Sequence, residues 1–410
     1  MEVERSGVPS KTTQKEHTSN KTSVLYKSSL KKGLRKSKNH SATLPPSIEN
    51  TRSALISLSK KDYEILRKTD FNWLVPDFLT QGSISCIYAE GGSGKSLFAL
   101  YLALLICKNK SVTDFFYLDG DNPMQIIQSR NVELIEQKCG GKFHYVTKDS
   151  RLFTKKRFNF YTFLDEIVKY YKSSKDPIPL KGVVYVLDTL KSFAPNTDFT
   201  KELDATRLMQ KLANLRDLGA TIIFLHHQTK QIEGENNKTY KGATPFKDMA
   251  DCMYFLSNRT KNFKTIEKNK HQVLFLLEAM KDRVSVSEKE ATFLIDTKSL
   301  RIKRVSNFYA LTEKEINTVK IAKKIVDEFN GGQGIVQKDL LNLIEKYAYK
   351  EGILVYGRVN TWKILHKFDD ILFRITEAAG SGRMKFLATK LYTPIAGKKT
   401  NFYEDAFLCS

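Results

Sequence analysis

The stretch YAEGGSGKSLFALYLALL, from Tyr88 to Leu105, limits the fold more than any other part of this chain. It joins an apolar, β-rich run to an apolar run with helical spacing, through a turn that holds Gly91, Gly92 and Gly94. Glycine lets backbone N–H groups converge without Cβ interference, and at a helix N-terminus those groups form a nest for an anion. Strand, glycine-rich turn, Lys-Ser and helix, in that order, is the context a phosphate-binding loop requires. Ala89 stands where glycine usually opens such a loop, a position that mainly needs a small side chain. The expected nucleotide contacts are Ala89, Glu90, Gly91, Gly92, Ser93, Gly94, Lys95, Ser96 and Leu97. Lys95 would reach the β- and γ-phosphates of ATP, and the Ser96 hydroxyl would bind Mg²⁺.

Around this loop the pattern is α/β. The apolar runs SISCIYA, DFFYLD, FHYVT, GVVYVLD and TIIFLHH alternate with amphipathic segments such as MQIIQSRNVELIEQK, YTFLDEIVKYYK and ELDATRLMQKLANLRDLG. Continuous apolar strands separated by helices predict a mainly parallel sheet covered on both faces. DCMYFLS, HQVLFLLEAM and ATFLIDT follow without long helices between them and read as antiparallel strands added at the sheet edge. After Val305 come three helical segments and two strands around a Gly-Ser-Gly turn, the order of a winged-helix module. The expected boundaries are a disordered basic tail over 1–50, a nucleotide-binding domain over 51–308, a winged-helix-like domain over 309–395 and a tail over 396–410.

Several strand ends carry candidate site residues. GVVYVLD ends on Asp188, where a carboxylate beside the phosphate loop can hold the Mg²⁺ hydration shell. Asp119 and Asp121 follow DFFYL, and either could orient an attacking water, although an Asp-Gly turn reads the same way. TIIFLHH ends on His226 and His227, suited to sensing a γ-phosphate. Lys281 and Arg283, two apart in an extended segment, share a face and could grip a neighbour's γ-phosphate.

Charge points to a polyanionic partner: 67 Lys+Arg against 45 Asp+Glu gives +22. The basic run YKSSLKKGLRKSKNH near the N-terminus could lie on phosphates or be a solvated tail. Cys86, Cys107, Cys139, Cys252 and Cys409 form no C-x-x-C pair, which fits reduced thiols. The longest apolar run, Leu97 to Cys107, is shorter than the roughly 20 residues of a membrane span. With no apolar signal segment at the N-terminus, a cytoplasmic protein without membrane partners is expected.

Between Trp73 and Arg283 the motifs GSISCIYAEGGSGKS, YLDGDNP, VVYVLDTLKSF, IIFLHHQTK and KGATPFKDMAD keep the order and spacing of RecA-like ATPases. They resemble most the plasmid RepA-type hexameric replicative helicases and their AAA-domain relatives. The resemblance implies a RecA-like P-loop core with ATP and Mg²⁺ as cofactors. Asp121 aligns with the family's catalytic glutamate, one methylene shorter, and His227 falls on its γ-phosphate sensor. KGATPFKDMAD matches the loop that contacts single-stranded DNA in such rings, with Lys241, Gly242 and Lys247 as its contacts. Lys281 and Arg283 resemble the finger pair inserted into the adjacent subunit's site. A homo-oligomeric ring, a hexamer, follows from that, with a replication initiator or primase as a further partner. Two other readings share these motifs: a recombination or repair ATPase that coats DNA, and a regulatory DNA-binding ATPase switch.

Overall fold

The computed structural model describes residues 72–147, 160–176, 178–229, 238–262, 270–283, 289–329, 334–377 and 383–388, with positions 60, 63 and 64. The expected tails over 1–50 and 396–410, the N-terminal basic run, the Gly-Ser-Gly turn and Cys409 lie outside the described residues.

After a short antiparallel pair, β1 (Trp73–Val75) and β2 (Leu79–Thr80), the chain enters the phosphate-loop strand β3 (Ile84–Ala89), all of whose residues are buried. Helix α1 (Lys95–Ile106) follows, apolar on nearly every side and correspondingly buried. Then come β4 (Asp114–Asp119), α2 (Met124–Ser129), α3 (Val132–Lys138), β5 (Phe143–Thr147), α4 (Phe160–Tyr171) and β6 (Val183–Asp188). Next are α5 (Leu190–Phe193), α6 (Glu202–Asp217), β7 (Thr221–His227), α7 (Pro245–Met249) and β8 (Cys252–Asn258). The sheet closes with β9 (Gln272–Asp282), β10 (Glu290–Asp296) and β11 (Arg301–Val305). Among the described residues its order is β11-β10-β9-β8-β3-β7-β6-β4-β5.

The strands from β8 to β5 are parallel, and β9 to β11 are antiparallel. One apolar core lies on the α1 and α3 face, and a second on the face of α4 to α7. This is the α/β, RecA-like arrangement with antiparallel edge strands.

Two expectations are corrected. DCMYFLS is not an antiparallel addition, because β8 pairs parallel with β3 from Ser85↔Cys252 to Tyr88↔Phe255. The segment before it, KGATPFKDMAD, crosses the face of the sheet and returns the chain to the starting edge, a crossover too short to read as a helix in sequence. MQIIQSRNVELIEQK is also not one helix: Asn131 takes the left-handed conformation, φ 55°, and splits it into α2 and α3. Asparagine tolerates that conformation better than most residues.

A third apolar cluster runs from Phe308 to Ala388. It is built by α8 (Glu313–Glu328), β12 (Ile335–Val336), α9 (Gln337–Glu351), α10 (Arg358–His366), β13 (Phe373–Glu377) and β14 (Met384–Ala388). The strands pair antiparallel in the order β12-β14-β13. Thr312 caps α8 through the Glu315 N–H while Glu315 returns a bond to Thr312, a reciprocal box that fixes where this helix begins.

Candidate functional site

Every strand-end residue singled out from β3, β4, β6 and β7 arrives at one edge of the sheet, because parallel strands all end there. Ala89 is fully buried as the last residue of β3, and its carbonyl accepts from the Gln228 N–H at 3.0 Å. A small side chain is therefore what this position accommodates. Gly94 sits at φ 92°, and a Cβ there would meet the Phe275 ring at 2.9 Å, so only glycine can turn the loop into α1. Lys95 is buried and folds back over the loop, donating to the carbonyls of Ala89 (3.1 Å) and Glu90 (2.7 Å). Burial lowers its pKa, opposed by the nearby Asp188, Asp121 and Glu90.

Asp119 and Asp188 stand side by side on β4 and β6, both almost wholly buried. Their surroundings separate their roles. Asp119 accepts from the N–H groups of Asp121 (3.0 Å) and Asn122 (2.9 Å), from the Asn122 side chain and from the Tyr145 hydroxyl. It is the pin of the turn. Asp121 is exposed and lies near enough to Lys95 and His227 to oppose the lowering of both their pKa values.

Asp188 accepts from the Tyr117 hydroxyl at 2.7 Å through Oδ2, while its buried Oδ1 has no hydrogen-bond partner among the described residues. Burial pushes its carboxyl up to about 6, and the Tyr117 bond and the nearby Ser96 hydroxyl pull the other way. A carboxylate oxygen left open beside a serine hydroxyl at the phosphate loop is a donor set that fits Mg²⁺. Tyr117 and Tyr145 stack with ring centroids 5.2 Å apart, so the two tyrosines hold the two acids as a pair. Sequence reading missed Tyr117, Tyr145 and Asn122. The only signal was a tyrosine inside an apolar strand, which also fits plain packing.

At the end of β7 the two histidines differ. His226 is 3% exposed, packs against Phe199 and Phe246, and donates through Nε2 to the Lys241 carbonyl. Burial holds its pKa down at about 4. His227 is half-buried, and desolvation followed by Lys95 lowers its pKa, with Lys241 and Lys191 adding to that and Asp121 opposing. At neutral pH it is a neutral imidazole able to donate one hydrogen bond.

Two clefts flank this row. One of about 440 Å³ runs from Glu90–Ser93 to the end of β8, where the buried Nε of Arg259 has no hydrogen-bond partner among the described residues. The other, about 210 Å³, lies beyond His227, between residues 191–200 and Lys241–Gly242.

Lys241 and Lys247 are both exposed; Lys241 precedes α7 and Lys247 lies within it. The Lys241 N–H bonds the His227 carbonyl at 2.9 Å, at the nucleotide edge, and the chain then crosses to the opposite edge. There Asp251 binds the Ile84 N–H at 2.8 Å. Lys281 and Arg283 are at this opposite edge too. Lys281 donates to the carbonyls of Lys247, Asp248 and Ala250, closing the end of α7. Arg283 donates to the Asp248 carbonyl and pairs with Asp251 at 3.7 Å. Its N–H bonds the Asp251 carbonyl, level with Ile84, the first residue of β3. That places it roughly 16 Å along the strands from Ala89.

Sheet order, phosphate loop and the row of strand-end acids are those of a RecA-like P-loop fold. Residues 49–233 match a family described as an AAA domain. No curated protein matches the chain. Among solved structures, an isolated ATPase domain is 14% identical, is covered over 100% of its length by 64% of this chain and has a TM-score of 0.42. The flagellar accessory protein FlaH from Methanocaldococcus jannaschii is 16% identical, with 55% of this chain and 90% of that one covered and a TM-score of 0.35. A KaiC-like protein from Pyrococcus horikoshii is 17% identical, with 58% and 99% covered and a TM-score of 0.37. Among the described residues no helix is long and apolar enough to cross a membrane, and no group of three or more His, Cys, Asp or Glu could hold a metal.

Proposed function

We propose that this chain is an ATP-hydrolysing, ring-forming motor on single-stranded DNA, a cytoplasmic replicative helicase of the RepA type. One observation carries the reading. Lys281 and Arg283 stand at the edge of the sheet opposite Lys95, too far to reach a γ-phosphate bound to their own loop. In a head-to-tail ring they would meet the neighbour's nucleotide, and head-to-tail contacts close into a ring where the rotation between subunits allows it.

Within one site, Lys95 neutralises the β- and γ-phosphates, and Asp121 takes a proton from the attacking water. His227 donates a hydrogen bond to a γ-phosphate oxygen. Ser96 and Asp188 would hold Mg²⁺, which when bound offsets charge on the phosphate oxygens. The cleft toward Arg259 takes ribose and base, since it continues the loop on the side away from Asp188. Lys241, Gly242 and Lys247 contact the strand. The helix–strand–helix–helix–hairpin module from Phe308 to Ala388 supports a winged-helix reading and a second contact to DNA or to an initiator or primase.

The test is the ATPase rate with and without single-stranded DNA, coupled to strand displacement and to electron microscopy with an ATP analogue. Stimulation, unwinding and closed rings are expected. Stimulation with open filaments and no unwinding would instead mark a recombination or repair ATPase. No stimulation at all would leave a regulatory switch.

A further inference from the structure

Asp251 gathers more of the molecule around it than its place just after a short helix requires. Its N–H bonds the Ile84 carbonyl at 2.8 Å, and its Oδ2 accepts from the Ile84 N–H at 2.8 Å. The residue is therefore fixed to the start of the phosphate-loop strand. Its other oxygen, Oδ1, is shared by two guanidinium groups. Arg283 Nη1 lies 3.7 Å from it and Arg216 Nη1 3.5 Å.

The two arginines are held differently. Arg216 stands in the last turn of α6 and donates to Asp217 through Nε and Nη2, at 3.1 and 2.9 Å. Its position thus does not depend on Arg283. The Arg283 side chain is twice as open, 53% exposed against 27%, and its other side-chain bond goes to the Asp248 carbonyl. Lys281 is a third cation nearby. Burial lowers its pKa, the charge of Arg283 adds to that, and Asp248 and Asp251 oppose.

In the proposed ring, Lys281 and Arg283 serve the neighbour's γ-phosphate, so both must first leave this carboxylate. The Asp251 side chain is only 17% exposed, and a carboxylate so little open to water is costly to leave without a cation. Arg216 stays on the same oxygen when the pair departs. It also weakens the hold on Arg283 beforehand, because two cations on one oxygen repel each other. Both effects favour a free Arg283.

We propose that Asp251 is a parking site for Arg283, and that Arg216 is the positioning residue that keeps Asp251 paired while Arg283 moves to the nucleotide of a second copy of this chain. The proposal rests on the trans reading of Arg283. Arg216 itself touches neither nucleotide nor attacking water.

The experiment is a double-substitution cycle, read as steady-state ATP turnover by the full chain with single-stranded DNA. Arg216→Gln keeps most of the apolar stem and removes the charge. It should lower kcat about fivefold, the size of one partly exposed ion pair, with KM for ATP unchanged. Arg216→Lys should retain most of the rate. Asp251→Asn keeps an acceptor for the Ile84 N–H and should turn over at or above the wild-type rate. The deciding chain carries Arg216→Gln and Asp251→Asn together. It should recover wild-type turnover, because a neutral amide needs no cation. A merely structural Arg216 predicts the reverse, with the second substitution adding to the damage of the first.

A double variant no faster than Arg216→Gln overturns the proposal, as does Arg216→Gln turning over like wild type. Should Arg216→Gln fail to fold, Asp251→Asn decides: a folded chain slower than wild type overturns the parking site. Arg283→Ala checks the reading underneath. If it hydrolyses normally, the trans role falls and the parking site with it. If it is inactive while the double variant is not rescued, the trans role stands and only the parking site falls.

Discussion

In the proposed reading, Lys95 is a residue placed for a ligand and not for the fold. Its ammonium group is desolvated and meets only backbone carbonyls, and burial lowers its pKa. Lys95→Ala should abolish ATP turnover while leaving the melting temperature unchanged or slightly raised, a comparison that calorimetry and a coupled assay can make together. His226 is the opposite case. Its folded-state pKa, about 4, lies below the ordinary 6.5, so protons bind the unfolded chain preferentially. The stability it contributes is complete above pH 6.5 and is lost as pH falls toward 4. The loss is about 1.4 kcal/mol per pH unit, or about 3 kcal/mol in all. The bond to the Lys241 carbonyl opposes this, while the charges of His227, Lys95 and Lys241 push the same way as burial. Denaturant melts across this range should show that dependence in wild type, and His226→Phe should be flatter. Asp119 and Asp121 mark what sequence leaves open at this scale. Both follow the same strand, and only the hydrogen bonds of the turn, which collect on Asp119, leave Asp121 facing the site.

At the scale of elements, the segment from Lys241 to Asp251 joins the two edges of the sheet, and its first turn depends on Gly242. That residue has φ 123°, and a Cβ would come within 3.1 Å of the Phe199 carbonyl oxygen and 3.2 Å of the Phe246 ring. Gly242→Ala should cost about 1–3 kcal/mol, measured by equilibrium unfolding, because neither the backbone nor its neighbours can relax without breaking that packing. An unfolding midpoint equal to wild type would mean that the turn tolerates a side chain. The parallel strands themselves were legible as apolar runs such as VVYVLD and TIIFLHH, since burial on both faces leaves no polar alternation. β8 was not legible as parallel, because direction depends on where the connection runs, and α7 is only a short turn of helix.

For the whole molecule, the central question is what Lys281 and Arg283 do. In the single chain they hold the end of α7 and Asp251, and the Arg283 side chain is 53% exposed. An ion pair this open contributes little to stability, on the order of 1 kcal/mol or less. Arg283→Ala should therefore fold normally and bind nucleotide, yet lose hydrolysis. Mixed with wild type it should reduce the rate by more than simple dilution, because one inactive finger disables a neighbour's site. Normal hydrolysis by the variant alone would remove the trans role.

The glycine-rich loop, the strands that end on Asp188 and His227, and the strong positive charge were determined by sequence alone. Each is a local matter of backbone freedom, periodicity or composition. Tertiary structure decided the rest: that Tyr117 engages one oxygen of Asp188 and leaves the other without a partner among the described residues, and that His226 is buried with Nε2 committed to the Lys241 carbonyl. It also decided that Lys281 and Arg283 stand on the far edge from the loop. These depend on which atoms meet across strands distant in the chain, and no local pattern encodes that.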